Sequence, residues 1–246
     1  MSGKNIGGGL LFSAGRGMIV AETEAARPAP GAAGAEEEEP VMRLFDTHAH
    51  YDSGAFNSDR LETLAAMPEQ GVELILNPGC DLESSRTAVA LAEQFPFVYA
   101  AVGVHPSDCG AWEDSWLEQL RALAAHPRVR AIGEIGLDYY WLKTPEERAN
   151  SRDFFDAQLS LAEELNLPAI VHDRDAHRDC LDIVRAHPGV RGVFHCYSGS
   201  LEDAKVLVDK GWMLSFTGNI TFKNARRPVE VAAAECSAVS RIDLPV

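Results

Sequence analysis

VRAIGEIG, residues 129–136, reads as a strand buried on both faces, with Val129, Ala131, Ile132 and Ile135 setting its character. One carboxylate, Glu134, sits in the middle of it. A buried carboxylate without a partner is costly, and either an ion pair or a bound cation removes that cost. Arg130 and Arg174 are the candidate ion-pair partners, and the chain's histidines are the candidate co-ligands. Gly133 and Gly136 leave room for another group to approach closely.

Outward from this strand the chain alternates regularly. Short apolar runs are predicted as strands at 44–48, 72–77, 97–103, 168–173, 191–196 and 212–216, making seven with 129–136. Amphipathic stretches near 58–70, 81–95, 112–125, 145–165, 175–187 and 200–210 are predicted as helices. Gly71 and Gly211 stand where helices end, and Asp81 and Ser200 where helices begin. Pro96, Pro127, Pro168 and Pro188 fall in the turns between helices and strands. Strand–helix alternation with apolar strands gives an α/β fold with a parallel sheet covered by helices. Polar residues collect at the C-terminal ends of several strands. Such convergence suits a TIM-type (β/α) barrel, where all strand ends meet at one mouth.

Composition sets the boundaries of the reading. The chain has 246 residues, is 46% hydrophobic and carries a formal charge of −15. That charge argues against a broad phosphate-tracking surface, though a bound cation can invert the field locally. No apolar run is long enough to span a membrane, so no membrane partner is expected, and no obligate protein partner is inferred. Five scattered cysteines without a C-x-x-C pair fit a reduced, cytoplasmic setting. Residues 1–41, rich in Gly, Ala, Pro and Glu, read as a disordered low-complexity extension. Residues 42–246 read as the catalytic domain.

The chemistry lies in four short strings. FDTHAH (45–50) places His48 and His50 two residues apart, so in extended chain both point to one side and can clamp one cation. Asp46 is read as an acceptor that orients a histidine. His172 in VHDRDAH and His195 in FHCYSGS end two consecutive strands. With Glu134 these make four imidazoles and one carboxylate, enough ligands for two cations sharing the carboxylate.

The strings FDTHAHYD, AVGVHPSD, AIGEIGLDYY, VHDRDAH, FHCYSGS and SFTGNITFKNA resemble, in order, the signature blocks of the TatD family of metal-dependent hydrolases, over about residues 42–246. The resemblance implies an amidohydrolase-like barrel with one or two divalent ions (zinc, manganese, magnesium or iron) and a metal-activated water. It implies that His48 and His50 bind one ion, that Glu134 bridges, and that His172 and His195 bind the second. It implies an active-site role for His105, in GVHP, outside the metal shell, in contact with a substrate phosphate or in proton transfer. A loop histidine that steadies its turn is the structural alternative. Arg174 and Tyr139 are candidate substrate contacts, or a surface salt bridge and a rim aromatic. The implied activity is that of a deoxyribonuclease acting 3′ to 5′ on DNA ends. Hydrolysis of a carboxylic ester such as a D-aminoacyl-tRNA, and an inactive remnant, are the alternatives.

The family pattern continues into a further strand bearing E-T-D, whereas this chain ends SRIDLPV. The barrel is therefore expected to stop before its eighth strand. On that expectation the first and seventh strands keep unpaired edges.

Overall fold

The computed structural model describes residues 19–22, 43–110 and 112–235. Eight strands form one sheet in sequential order: β1 (Ile19–Glu22), β2 (Arg43–Asp46), β3 (Val72–Pro78), β4 (Val98–Val102), β5 (Val129–Asp138), β6 (Ala169–Arg174), β7 (Gly192–His195) and β8 (Met213–Leu214). From β2 to β8 every neighbouring pair is parallel. Helices connect them: α1 (Arg60–Ala66), α2 (Leu82–Gln94), α3 (Asp114–Ala124), α4 (Pro145–Leu165), α5 (His177–Ala186) and α6 (Leu201–Asp209), with α7 (Arg226–Glu235) after β8. This is the TIM-type β/α architecture, with seven parallel strands among the described residues. No helix among them is long and apolar enough to cross a membrane.

The expected helix ends are present. Asp81 Oδ1 accepts the Ser84 N–H at 2.7 Å, and Ser200 Oγ accepts the Asp203 N–H at 3.1 Å. Gly71 and Gly211 take positive φ, 83° and 84°, where a side chain would be strained.

Two features differ from the sequence reading. The expected bare edge at β2 is covered, because β1 pairs antiparallel along it from Ile19↔Asp46 to Glu22↔Arg43. Strand β1 falls inside the stretch read as low-complexity. Its IVAE sequence is short, and its β-branched Ile-Val pair was outweighed by the surrounding Gly and Ala. The other residues of 1–41, like SRIDLPV, lie outside the described residues. Helix α7 was also not anticipated.

The strands divide their side chains between two faces. Ile75, Val98, Val102, Ile132, Ile135, Val171 and Phe194 join the large core under the helices. Leu76, Ala101, Ala131 and Ile170 form a separate cluster, with Phe45, Tyr99 and Val193 against it, on the concave face. Continuing the alternation on that face, Ile170 is followed by His172 and Val193 by His195. In β5 the pairing with β6 shifts between Ile132 and Ile135, and the Gly133–Glu134 peptide is cis. Ile132 and Ile135 thus both face the helices although three positions apart, and Glu134 turns to the concave side. Gly136, at φ 137°, cannot take a Cβ, which would lie 2.0 Å from the His172 carbonyl oxygen. This close approach draws β6 and His172 against β5.

Candidate metal centre

The concave face opens into a cavity of about 1090 Å³ lined by His48, His50, Glu134, His172, Arg174 and His195 among others. Two buried amides set the loops that carry its histidines. Asn77 in β3 accepts the Tyr51 N–H at 2.7 Å and donates to Asp52 Oδ1 at 2.8 Å, fixing the turn after His50. Gln158 in α4 both accepts from Val104 N–H (2.8 Å) and donates to Val104 O (3.1 Å), fixing the turn before His105. Neither amide is exposed to solvent, so both loops are held by fully committed hydrogen bonds.

Glu134 lies at the centre, and its two oxygens serve different partners. Oε2 is 3.2 Å from His48 Nε2 and 3.5 Å from His50 Nε2, while those two nitrogens are 3.0 Å apart. Oε1 is 2.9 Å from His172 Nδ1. The opposite nitrogen of His172 is 3.0 Å from Asp138 Oδ2. Neither Arg130 nor Arg174 pairs with Glu134 in the contacts described, so the ion-pair alternative gives way to a histidine cage. Burial opposes the charge on Glu134. His48, and hydrogen bonds from His172, His48 and His50, outweigh it and hold the carboxyl well below its usual range.

Two groups are spaced to hold a cation: His48, His50 and Glu134, and His105, Asp138 and His172, with the ligand atoms of each within 4.8 Å of one another. The donor chemistry fits. Burial pushes the pKa of His48 down and that of His195 well below its ordinary value, so the His195 ring is neutral and offers a lone pair. His195 stacks on His48 with ring centroids 3.5 Å apart, and His195 Nδ1 is buried without a partner. An unpaired buried nitrogen beside convergent imidazoles is what a missing cation would leave.

The arrangement differs in detail from what the resemblance implied. His195 stands beside His48, whereas His172 stands with Asp138. Asp138 was not singled out, although it ends β5 four residues beyond Glu134 on the same face, a spacing that could have marked it. His105 sits 4.3 Å from His172, centroid to centroid. Its Nδ1 accepts the Ser107 N–H at 3.1 Å. Burial and the neighbouring His172 lower its pKa to about 4. The neutral ring therefore keeps its proton on Nε2 and presents a donor, which leaves Asp138 and His172 as the cation-holding pair of that second group. Asp46 accepts the His48 backbone N–H at 3.3 Å rather than a ring N–H, and burial raises its pKa to about 6.

Of the two expected substrate contacts, Arg174 lines the cavity, with its guanidinium 3.9 Å above the ring of Tyr140. Tyr139 is withdrawn from it. Its hydroxyl bonds Asp179 and takes a hydrogen bond from Arg152 at 3.0 Å, and Arg148 lies 4.4 Å over its ring, so it ties β5 to α4 and α5.

The chain is similar in sequence and fold to known proteins. The family model described as TatD related DNase matches residues 45–239. A metal-dependent hydrolase of Bacillus subtilis, YabD, is 40% identical over 190 residues, covering 76% of this chain and 74% of its own. A 3′-5′ ssDNA/RNA exonuclease, TatD of Cronobacter turicensis, is 36% identical over 195 residues, 77% of this chain and 72% of its own. The crystal structure of YjjV, a TatD homologue from Escherichia coli, superposes with a TM-score of 0.70 at 33% identity, covering 77% of this chain and 73% of that one.

Proposed function

Since the chain belongs to the TatD-related DNase family of metal-dependent hydrolases, we propose that it removes nucleotides from the 3′ end of a nucleic-acid strand, with Glu134 at the junction of two cation sites. The observation that carries this reading is the split of the Glu134 carboxylate between the His48–His50 pair and the His172–Asp138 pair. Divalent ions held there would polarise a phosphoryl oxygen and lower the pKa of water.

The chain's own residues complete the chemistry. His48, His50 and Glu134 would hold one ion. His172 and Asp138 would hold the other, while His172 Nδ1–H donates to Glu134 Oε1 and so fixes the ring. His195, stacked on His48, would add its nitrogen to the same centre. His105 Nε2–H donates to a phosphate oxygen, and Arg174 at the cavity wall takes another. The acidic surface is no obstacle, because two cations and one arginine neutralise a single phosphodiester locally. Strand polarity, 3′ to 5′, follows the named activity of the Cronobacter relative. A cytoplasmic setting accords with four described cysteines, Cys80, Cys109, Cys180 and Cys196, that are free thiols.

The test is a metal-stripped preparation reloaded with Mn²⁺ or Mg²⁺ and given a 5′-labelled single strand. The expected product is a ladder shortening from the 3′ end, absent before reloading and absent when the terminal nucleotide is blocked. Release of the amino acid from a D-aminoacyl-tRNA with no shortening of the strand would instead assign the centre to carboxylic esters.

A further inference from the structure

Immediately beyond Asp138 the chain turns beside Arg174, which lines the cavity, and exposes two aromatic rings. Tyr140 is 43% exposed and Trp141 62% exposed. The two meet edge to face at 4.8 Å between centroids. Arg174 covers Tyr140 at 3.9 Å, and the Lys143 ammonium lies 5.0 Å from the same ring. Tyr140 is thus occupied by two cations, and Trp141 keeps the more open surface.

The turn is fastened to the metal centre. Trp141 N–H donates to Asp138 Oδ1 at 3.0 Å, and Leu142 N–H donates to Asp138 O at 3.0 Å. Tyr139 N–H donates to Arg174 O at 2.9 Å. The other oxygen of Asp138 faces His172 Nε2. One carboxylate therefore sets both the second cation group and the position of the exposed indole.

An exposed indole packed against Tyr140, whose covering Arg174 lines the cavity, suits in a chain of charge −15 a ligand that is both aromatic and anionic. The overall charge argues against affinity from a long phosphate track, which leaves base stacking as the main sequence-independent contribution. We infer that Trp141, with Tyr140, Arg174 and Lys143, is a stacking platform for the unpaired bases of a single-stranded nucleic acid whose terminal phosphodiester lies at the metal centre. This deepens the nuclease reading and rests on it. Internal bases of a duplex are stacked on both faces and cannot offer one to the indole. The platform therefore selects single strands. Lys143 meets a backbone phosphate that flanks the stacked base, while Arg174 joins Tyr140 to the phosphodiester in the cavity.

The probe is a single-stranded oligothymidylate with phosphorothioate linkages, titrated into the metal-loaded full chain while tryptophan fluorescence and anisotropy are read. Binding is expected to quench tryptophan emission. Trp141→Ala is expected to weaken binding by roughly tenfold or more and to remove most of the quenching, while Trp141→Phe restores most of the affinity. Hydrolysis of bis(p-nitrophenyl) phosphate, which has no base to stack as part of a strand, should fall far less than hydrolysis of the oligonucleotide. If the parent protein cleaves strands and Trp141→Ala binds them as tightly as the parent, the platform is refuted and the nuclease reading survives. A change in oligomeric state with strand affinity intact would make this surface a contact between copies, and would also overturn the inference. If the parent hydrolyses bis(p-nitrophenyl) phosphate but neither binds nor cleaves strands, the nuclease reading itself fails, and the platform with it.

Discussion

Glu134→Gln is expected to leave a folded protein that has lost its metal and, with it, at least about 100-fold of its hydrolytic rate. The amide keeps the shape of the carboxylate and can still accept a hydrogen bond from His172 Nδ1, 2.9 Å away. It cannot supply the negative charge that His48, His50 and His172 all face. Both cation groups depend on that charge, one through Oε2 directly and the other through the hydrogen bond that orients His172. Elemental analysis after dialysis against trace Mn²⁺ measures the loss, and a thermal melt in chelator separates it from misfolding. Metal content equal to the parent's would remove Glu134 from the centre.

Asp138→Asn is the sharper of the two, because it should divide the centre. His172 Nε2 faces Asp138 Oδ2, so the amide removes the charge from that group alone. The Asn carbonyl can still accept the Trp141 N–H, which keeps that turn in place. His48, His50 and Glu134 are untouched. Titration with Mn²⁺ is expected to fall from about two tight equivalents to about one, the Asp138–His172 site losing about 10- to 100-fold in affinity. Hydrolysis should fall with the weak site and recover in part at high Mn²⁺. Loss of both equivalents together would mean that the two groups do not bind separately.

Much of this was legible in the sequence, and the parts that were not have physical reasons. The parallel strands and the first six helices follow from hydrophobic period, and their ends from Gly71, Gly211, Asp81 and Ser200, because these signals are local. His48 and His50 do converge, Nε2 to Nε2 at 3.0 Å, although both lie beyond β2, which ends at Asp46. Two-residue alternation taken alone would have pointed Glu134 toward the helices with Ile132, and only the shift in β5 pairing reverses it. That shift depends on how β5 meets β6, which no local pattern records. Asp138 was overlooked for a related reason: its partner, His172, lies on the next strand. The proton on His105 was not readable either, since the Ser107 amide that decides it acts through the geometry of one turn. Tyr139 and Tyr140 are adjacent in the turn after β5, and no local pattern records that one enters the network with Asp179 while the other packs under Arg174.

The most direct test of the metal centre is anomalous diffraction from crystals of the full chain soaked in Mn²⁺. The account predicts one peak among His48 Nε2, His50 Nε2 and Glu134 Oε2, and a second beside Asp138 Oδ2 and His172 Nε2, both weakened in Glu134→Gln. Manganese bound elsewhere, with no density at Glu134 in a preparation that hydrolyses phosphodiesters, would contradict it.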